Sequence, residues 1–263
     1  QPGTDATLYT EGTVSSYNPT TSATGILVKA YSDVDGVETL QFNVRANGDT
    51  GIGTTSPTSR LHVTEATDIT PNGSSVGHIQ ISGSGYSGCF ALDASGMWMS
   101  QNSASRSLIF ATDETERMRI DGAGRVTTIS QPSFSADVSG GAWTMNTTDG
   151  VVPFNSIRHN VGSHFSTSTY RFTAPVTGNY FFSYHFFMYT SYDNDTNTYY
   201  GFHKNGSSHL TTNHGVEGQD GGQAMSAVIS LAASDYVTVQ MVGGGSISSH
   251  GGQYSSFTGH LLG

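Results

Sequence analysis

The sequence predicts an all-β protein, and three observations predict it. No stretch carries the 3.6-residue apolar spacing of an amphipathic helix. Apolar and polar residues instead alternate over short windows closed by Gly, Asn, Asp or Pro. The composition agrees: 33 Gly among 263 residues suit tight turns, and 13 Tyr, 13 Phe and 2 Trp supply enough aromatic surface to build a core despite only 11% charged residues.

The texture changes near Gln131-Pro132, dividing the chain into residues 1–130 and 131–263. The first part has short apolar strips: Ile26-Leu27-Val28, Leu40 to Val44, Ile79 to Ile81, Leu108 to Phe110 and Met118 to Ile120. Turns at Asp35-Gly36, Asn47-Gly48 and Asp121-Gly122 separate them. Phe42 to Gly48 and Met118 to Gly124 share one pattern, apolar-polar-apolar followed by a Gly-bearing turn. Units this small cannot bury a core alone. They fold by stacking on neighbours or by sharing apolar strips between chains.

The second part is dense in aromatics. Tyr180 to Tyr189 reads as apolar on nearly every residue, the pattern of a strand covered on both faces. One cover is a partner sheet and the other a second subunit. On that ground Phe182, Tyr184, Phe186, Met188 and Phe257 are expected at a subunit interface. Val237 to Val242 alternates as a half-buried strand should, and recurring strand–turn units predict an antiparallel sandwich.

Charge narrows the partners. A net charge of −10 with only 10 Lys and Arg provides no phosphate-binding face, so nucleic acid is not an expected partner. No apolar run approaches the roughly 20 residues of a membrane-spanning helix, and no membrane insertion is expected. No charged-then-apolar leader is read, and residue 1 is Gln, as in a processed or trimmed chain. The lone Cys89 excludes an internal disulfide framework and reads as a core thiol.

Catalytic patterns are missing. The histidines, among them His159, His164, His185, His203, His209, His214, His250 and His260, form no His-x-His pair. No nucleophile elbow is present, and the glycine runs at 243–245 and 251–252 lack the helix and Lys of a phosphate loop. The chain is therefore read as non-enzymatic. The best cation candidate is Asp193-Asn194-Asp195, whose oxygens suit calcium; no other cofactor is expected. Tyr192, Tyr199, Tyr200, His209, His214 and Gln219 combine aromatic faces with adaptable hydrogen bonding and form the expected receptor-binding set.

Two resemblances sharpen these expectations. Gly51-Ile52-Gly53-Thr54-Thr55-Ser56-Pro57, with Leu61-His62-Val63 behind it, resembles the repeat modules of phage tail fibres. So does Glu116-Arg117-Met118-Arg119-Ile120-Asp121, although Thr127-Thr128-Ile129 departs from the repeat. The second part resembles the globular head of complement component 1q, a relative of tumour necrosis factor. Pro132 to Ala136, Val152-Pro153-Phe154, Tyr170 to Phe182, Lys204-Asn205-Gly206, Asp235 to Val239 and Tyr254 to Leu262 carry that likeness in order; Ser234 stands where a Gly is usual.

The resemblances imply a β-rich trimeric fibre or shoulder followed by a ten-stranded jelly-roll head that forms tight trimers, with calcium held in apical loops of some relatives. The implied role is a virion fibre, a phage tail fibre or receptor-binding protein. It would act outside the cell on a host glycan or outer-membrane protein and join upstream fibre or other virion proteins. The alternatives are a head fibre or capsid-decorating protein, a capsular-polysaccharide depolymerase (disfavoured by the lack of a long parallel β-helix) and a bacterial adhesin of the same fold.

Overall fold

The structure is a computed structural model that describes residues 26–34, 37–65, 67–71, 77–145, 150–188, 198–214, 221–242 and 247–263. It is all-β, with one short 3-10 turn at Gly252–Tyr254. The chain divides into two units, one within residues 1–108 and 120–125, the other within 109–119 and 126–263.

The early strands are β1 (Ile26–Val34), β2 (Val37–Arg45), β3 (Thr50–Ile52) and β4 (Leu61–Val63), joined in that order with a parallel final pair. Strands β5 (Ile79–Gly83), β6 (Tyr86–Asp93) and β7 (Gly96–Gln101) make an antiparallel meander. Strands β8 (Leu108–Thr112), β9 (Thr115–Ile120) and β10 (Val126–Thr127) form a third small sheet with β9 central. The five predicted apolar strips all lie in strands. Strands β6 and β7 lie outside those strips; in β6, Ser87 and Gly88 break the apolar run.

The predicted repeat is one hydrogen-bonded turn used twice. The Gly48 amide donates to the Arg45 carbonyl at 2.9 Å, and the Arg45 amide to the Asp49 carbonyl at 2.9 Å. The Gly124 amide donates to the Asp121 carbonyl at 2.9 Å, and the Asp121 amide to the Arg125 carbonyl at 3.0 Å. Gly48 and Gly124 take φ of 85° and 81°, a conformation that costs a residue with a Cβ.

The second unit contains β11 (Ser133–Asp137), β12 (Ala142–Met145), β13 (Ser156–Val161), β14 (Phe165–Ser166), β15 (Arg171–Thr173), β16 (Gly178–Met188), β17 (Thr198–Lys204), β18 (Ser207–His214), β19 (Gly221–Leu231), β20 (Tyr236–Val242), β21 (Ile247–His250) and β22 (Ser255–Leu261). One sheet runs β13-β11-β22-β16-β19, extended by a β12–β21 ribbon along β16; the other runs β14-β15-β20-β17-β18. Apart from the ribbon, five strands face five, and the chain crosses repeatedly between the sheets, which is the jelly-roll arrangement.

The core between the sheets is aromatic. Phe134 stacks on Phe165 and Phe172 at centroid distances of 4.7 and 5.1 Å, and Phe257 meets its edge at 4.9 Å. Each such side chain contributes about 1.5–3 kcal/mol by leaving water.

The β16 expectation needs correction. Phe182, Tyr184, Phe186 and Met188, together with Phe257 on β22, are at most 4% exposed in a single chain and belong to its core. They do not form a subunit interface. Strand period 2 sends the even-numbered residues inward, while Phe181, Ser183, His185 and Phe187 take the other face. A run in which both sets hold aromatics conceals this alternation.

Candidate binding surfaces of the C-terminal unit

The predicted receptor set is only partly placed. Tyr192, Gln219 and the cation candidates Asp193, Asn194 and Asp195 lie outside the described residues, as does the His214 side chain. Tyr199 is 39% exposed and His209 is exposed on β18. Tyr200 is a correction: it is fully buried, meets the Phe186 ring edge-on at 4.8 Å and donates its hydroxyl to Met188 Sδ at 3.3 Å. Consecutive strand residues face opposite ways, so Tyr199 and Tyr200 could not both serve one surface. Among the described residues no three His, Cys, Asp or Glu side chains gather to hold a metal.

The outer face of β16 presents cross-strand rows. Phe181 lies between Val228 of β19 and His260 of β22, with the Phe181 and His260 ring centroids 5.4 Å apart. The next row holds Ser226, Ser183 and Thr258, and Ser226 donates to Ser183 Oγ at 2.9 Å. His185 then meets Ser256 at 2.9 Å. Phe187 closes the face against His250 and Tyr254, whose rings are 4.9 Å apart. Val228 is 57% exposed there.

An open cavity of about 440 Å³ lies at the end of the sandwich where β11 begins and β22 finishes. Its walls are Ser163, His164, Ser166 and Thr169 around β14, Arg171 and Thr173 of β15, Ala174-Pro175, and Ser234. The Arg171 guanidinium lies over the Tyr236 ring, 4.7 Å from its centroid. The neighbouring turn is fixed by Asp235, which accepts from Asn205 at 2.7 Å and from the Ala232 amide at 2.8 Å, and pairs with Lys204 at 3.0 Å. The Asn205 amide first, then the Ala232 N–H and the Lys204 ammonium, hold the Asp235 carboxyl down to about 2.

Residues 133–262 match the family model described as the C1q domain. That stretch is similar to a C1q domain. Complement C1q tumor necrosis factor-related protein 3 of Homo sapiens and that of Mus musculus are each 32% identical over 117 residues, which cover 44% of this chain and 46% of theirs. The chain thus spans about half the length of the curated relatives it matches. Among solved structures, the globular domain of zebrafish complement 1qA protein is 18% identical with a TM-score of 0.39 (51% of this chain, 98% of that one). Eiger TNF from S. frugiperda is 13% identical with a TM-score of 0.40 (50% and 91%).

Within the C1q-like domain, sequence reasoning singled out neither Arg171 nor the two serines Ser163 and Ser234 for binding. One signal was available. Ser234 occupies a position where the family pattern has Gly, and it adopts a left-handed φ of 74°.

Proposed function

We propose that this chain is the distal part of a homotrimeric virion fibre, a phage tail fibre, and that its C1q-like head attaches the particle to a host surface without catalysis. Domains of the C1q/TNF type typically form homotrimers, which supports the threefold assembly. One observation carries the reading furthest: the head is joined to a unit with almost no interior of its own. Every residue of the buried hydrophobic cluster lies between Phe134 and Phe257. Before Phe134, the buried apolar side chains among the described residues are Pro57, Cys89, Ala91 and Pro132, while Ile81, Leu92 and Met97 are 68, 58 and 74% exposed. A groove of about 470 Å³ in that unit is walled by Leu61, Ile79, Phe90, Leu92 and Met97 among others. Apolar surface on this scale is suited to cover by further copies of the same unit.

The subunit contact of the head is assigned to the outer face of β16, where Phe181 and Val228 stand side by side. Three heads on one fibre turn weak single-site binding to a glycan or outer-membrane protein into avidity. Localisation to the virion and contact with upstream fibre proteins follow from the same reading.

Light scattering of the purified chain should give a trimer, and the labelled trimer should adsorb to susceptible host cells. A monomer at micromolar concentration defeats the architecture. A trimer that adsorbs to no host cell defeats the attachment role.

A further inference from the structure

Between residues 133 and 262 the chain has three cations, and two are neutralised. Arg158 pairs with Asp137 at 2.8 Å and Lys204 with Asp235 at 3.0 Å. Arg171 makes no ion pair with a described residue. Stacking on Tyr236 holds its side chain while leaving the guanidinium edge available. An arginine with no ion pair among the described residues is notable in a chain of net charge −10, and this one lines the cavity.

The backbone supplies a second, independent observation. Six described residues other than glycine have a left-handed φ. Two of them, Ser163 at 61° and Ser234 at 74°, line this cavity, and Tyr170 at 54° sits between two further lining residues, Thr169 and Arg171. Serine gains nothing conformationally from such a φ, where glycine would be unstrained. What it adds is a hydroxyl in the cavity wall. Strain of this kind gathers where function requires a particular side chain.

We propose that the cavity binds the carboxylated sugar of an acidic glycan. Arg171 takes the carboxylate, for which its planar fork of donors is shaped. The hydroxyls of Ser163, Thr169, Thr173 and Ser234 both donate and accept, as sugar hydroxyls require. A volume of about 440 Å³ suits a sugar unit better than a lone anion, which one cation and a ring of neutral hydroxyls would hold poorly. The biological sense of this site rests on the attachment reading, whose glycan class it names; the binding itself does not.

The test is calorimetric titration of the full chain with N-acetylneuraminic acid, glucuronic acid, methyl galactoside, acetate and inorganic phosphate. The acidic sugars should bind at least about 10-fold more tightly than the other three, a difference of about 1.4 kcal/mol. Arg171→Gln should abolish that preference, and Arg171→Lys should retain only part of it. Ser234→Gly should weaken acidic-sugar binding while leaving the melting temperature unchanged or higher, which separates loss of the site from loss of the fold. Three results overturn the proposal: no acidic sugar bound by the unmodified chain, binding that survives Arg171→Gln, or phosphate bound as well as the sugars. Acidic-sugar binding by a trimer that adsorbs to no host cell would defeat the attachment role and leave the site standing. Adsorption without sugar binding would do the reverse.

Discussion

At the scale of single residues, three side chains make the head testable. Tyr184 is fully buried, and its hydroxyl has no hydrogen-bond partner among the described residues. Burial alone pushes its phenol far above the ordinary value of 10. An unpaired buried hydroxyl costs about 1–3 kcal/mol, so Tyr184→Phe should leave stability unchanged or raise it by about 1 kcal/mol in urea unfolding. A loss of that size instead would mean the hydroxyl has a partner. His203 is only 6% exposed, and burial pushes its imidazole below the ordinary 6.5, against a smaller opposing effect of the Gly206 backbone. The folded chain therefore resists a proton that the unfolded chain accepts. Stability should fall as pH drops through about 6.5, and His203→Gln should flatten that slope. Asp235 acts lower on the scale: its contribution, present above the ordinary carboxyl value of 3.8, is lost as pH falls toward about 2.

At the scale of elements, β16 organises the head. It pairs with β19 along its whole length and with β22 across seven residues. Its inward and outward residues should therefore respond differently to truncation. Phe182→Ala should cost about 3–5 kcal/mol. Ser183→Ala, one position along on the other face, should stay within about 0.5 kcal/mol for the isolated fold. Equal losses would show that the alternation is wrong. Gly259 of β22 lies between β16 and β11, and a Cβ there would stand 2.5 Å from Phe182 and 2.8 Å from Phe134. Gly259→Ala should cost about 1–3 kcal/mol by overpacking, read as a lower urea midpoint. Earlier in the chain, the Arg45–Asp49 and Asp121–Arg125 turns repeat one set of backbone bonds, so the short repeat visible in the sequence is an element rather than a coincidence of composition.

At the scale of the whole molecule, the two units differ in what they can bury. The head closes on its own aromatics, whereas the preceding unit leaves large apolar side chains in water. If further copies cover that surface, the unit should be far less stable as a monomer than as a trimer, and its unfolding midpoint should rise with protein concentration. In the head, Val228→Asp should weaken assembly without unfolding the sandwich, because Val228 is 57% exposed and outside the core. Light scattering at micromolar concentration would show the loss of the trimer, and an unchanged trimer would move the interface off the outer face of β16.

The sequence alone determined the all-β class, the apolar strips that became strands, the repeated turn and the order of motifs that places a C1q-like domain at 133–262. These depend on local periodicity and on turn residues, which act over a few positions of chain. Only the tertiary structure decided which face of β16 is core, that Tyr200 belongs inside while Tyr199 is 39% exposed, and that Ser163, Arg171 and Ser234 line one cavity. A strand with aromatics on both faces carries no mark of which side the second sheet will cover. Residues 63 or more positions apart become neighbours only when strands from both sheets have been laid down and their loops meet at one end.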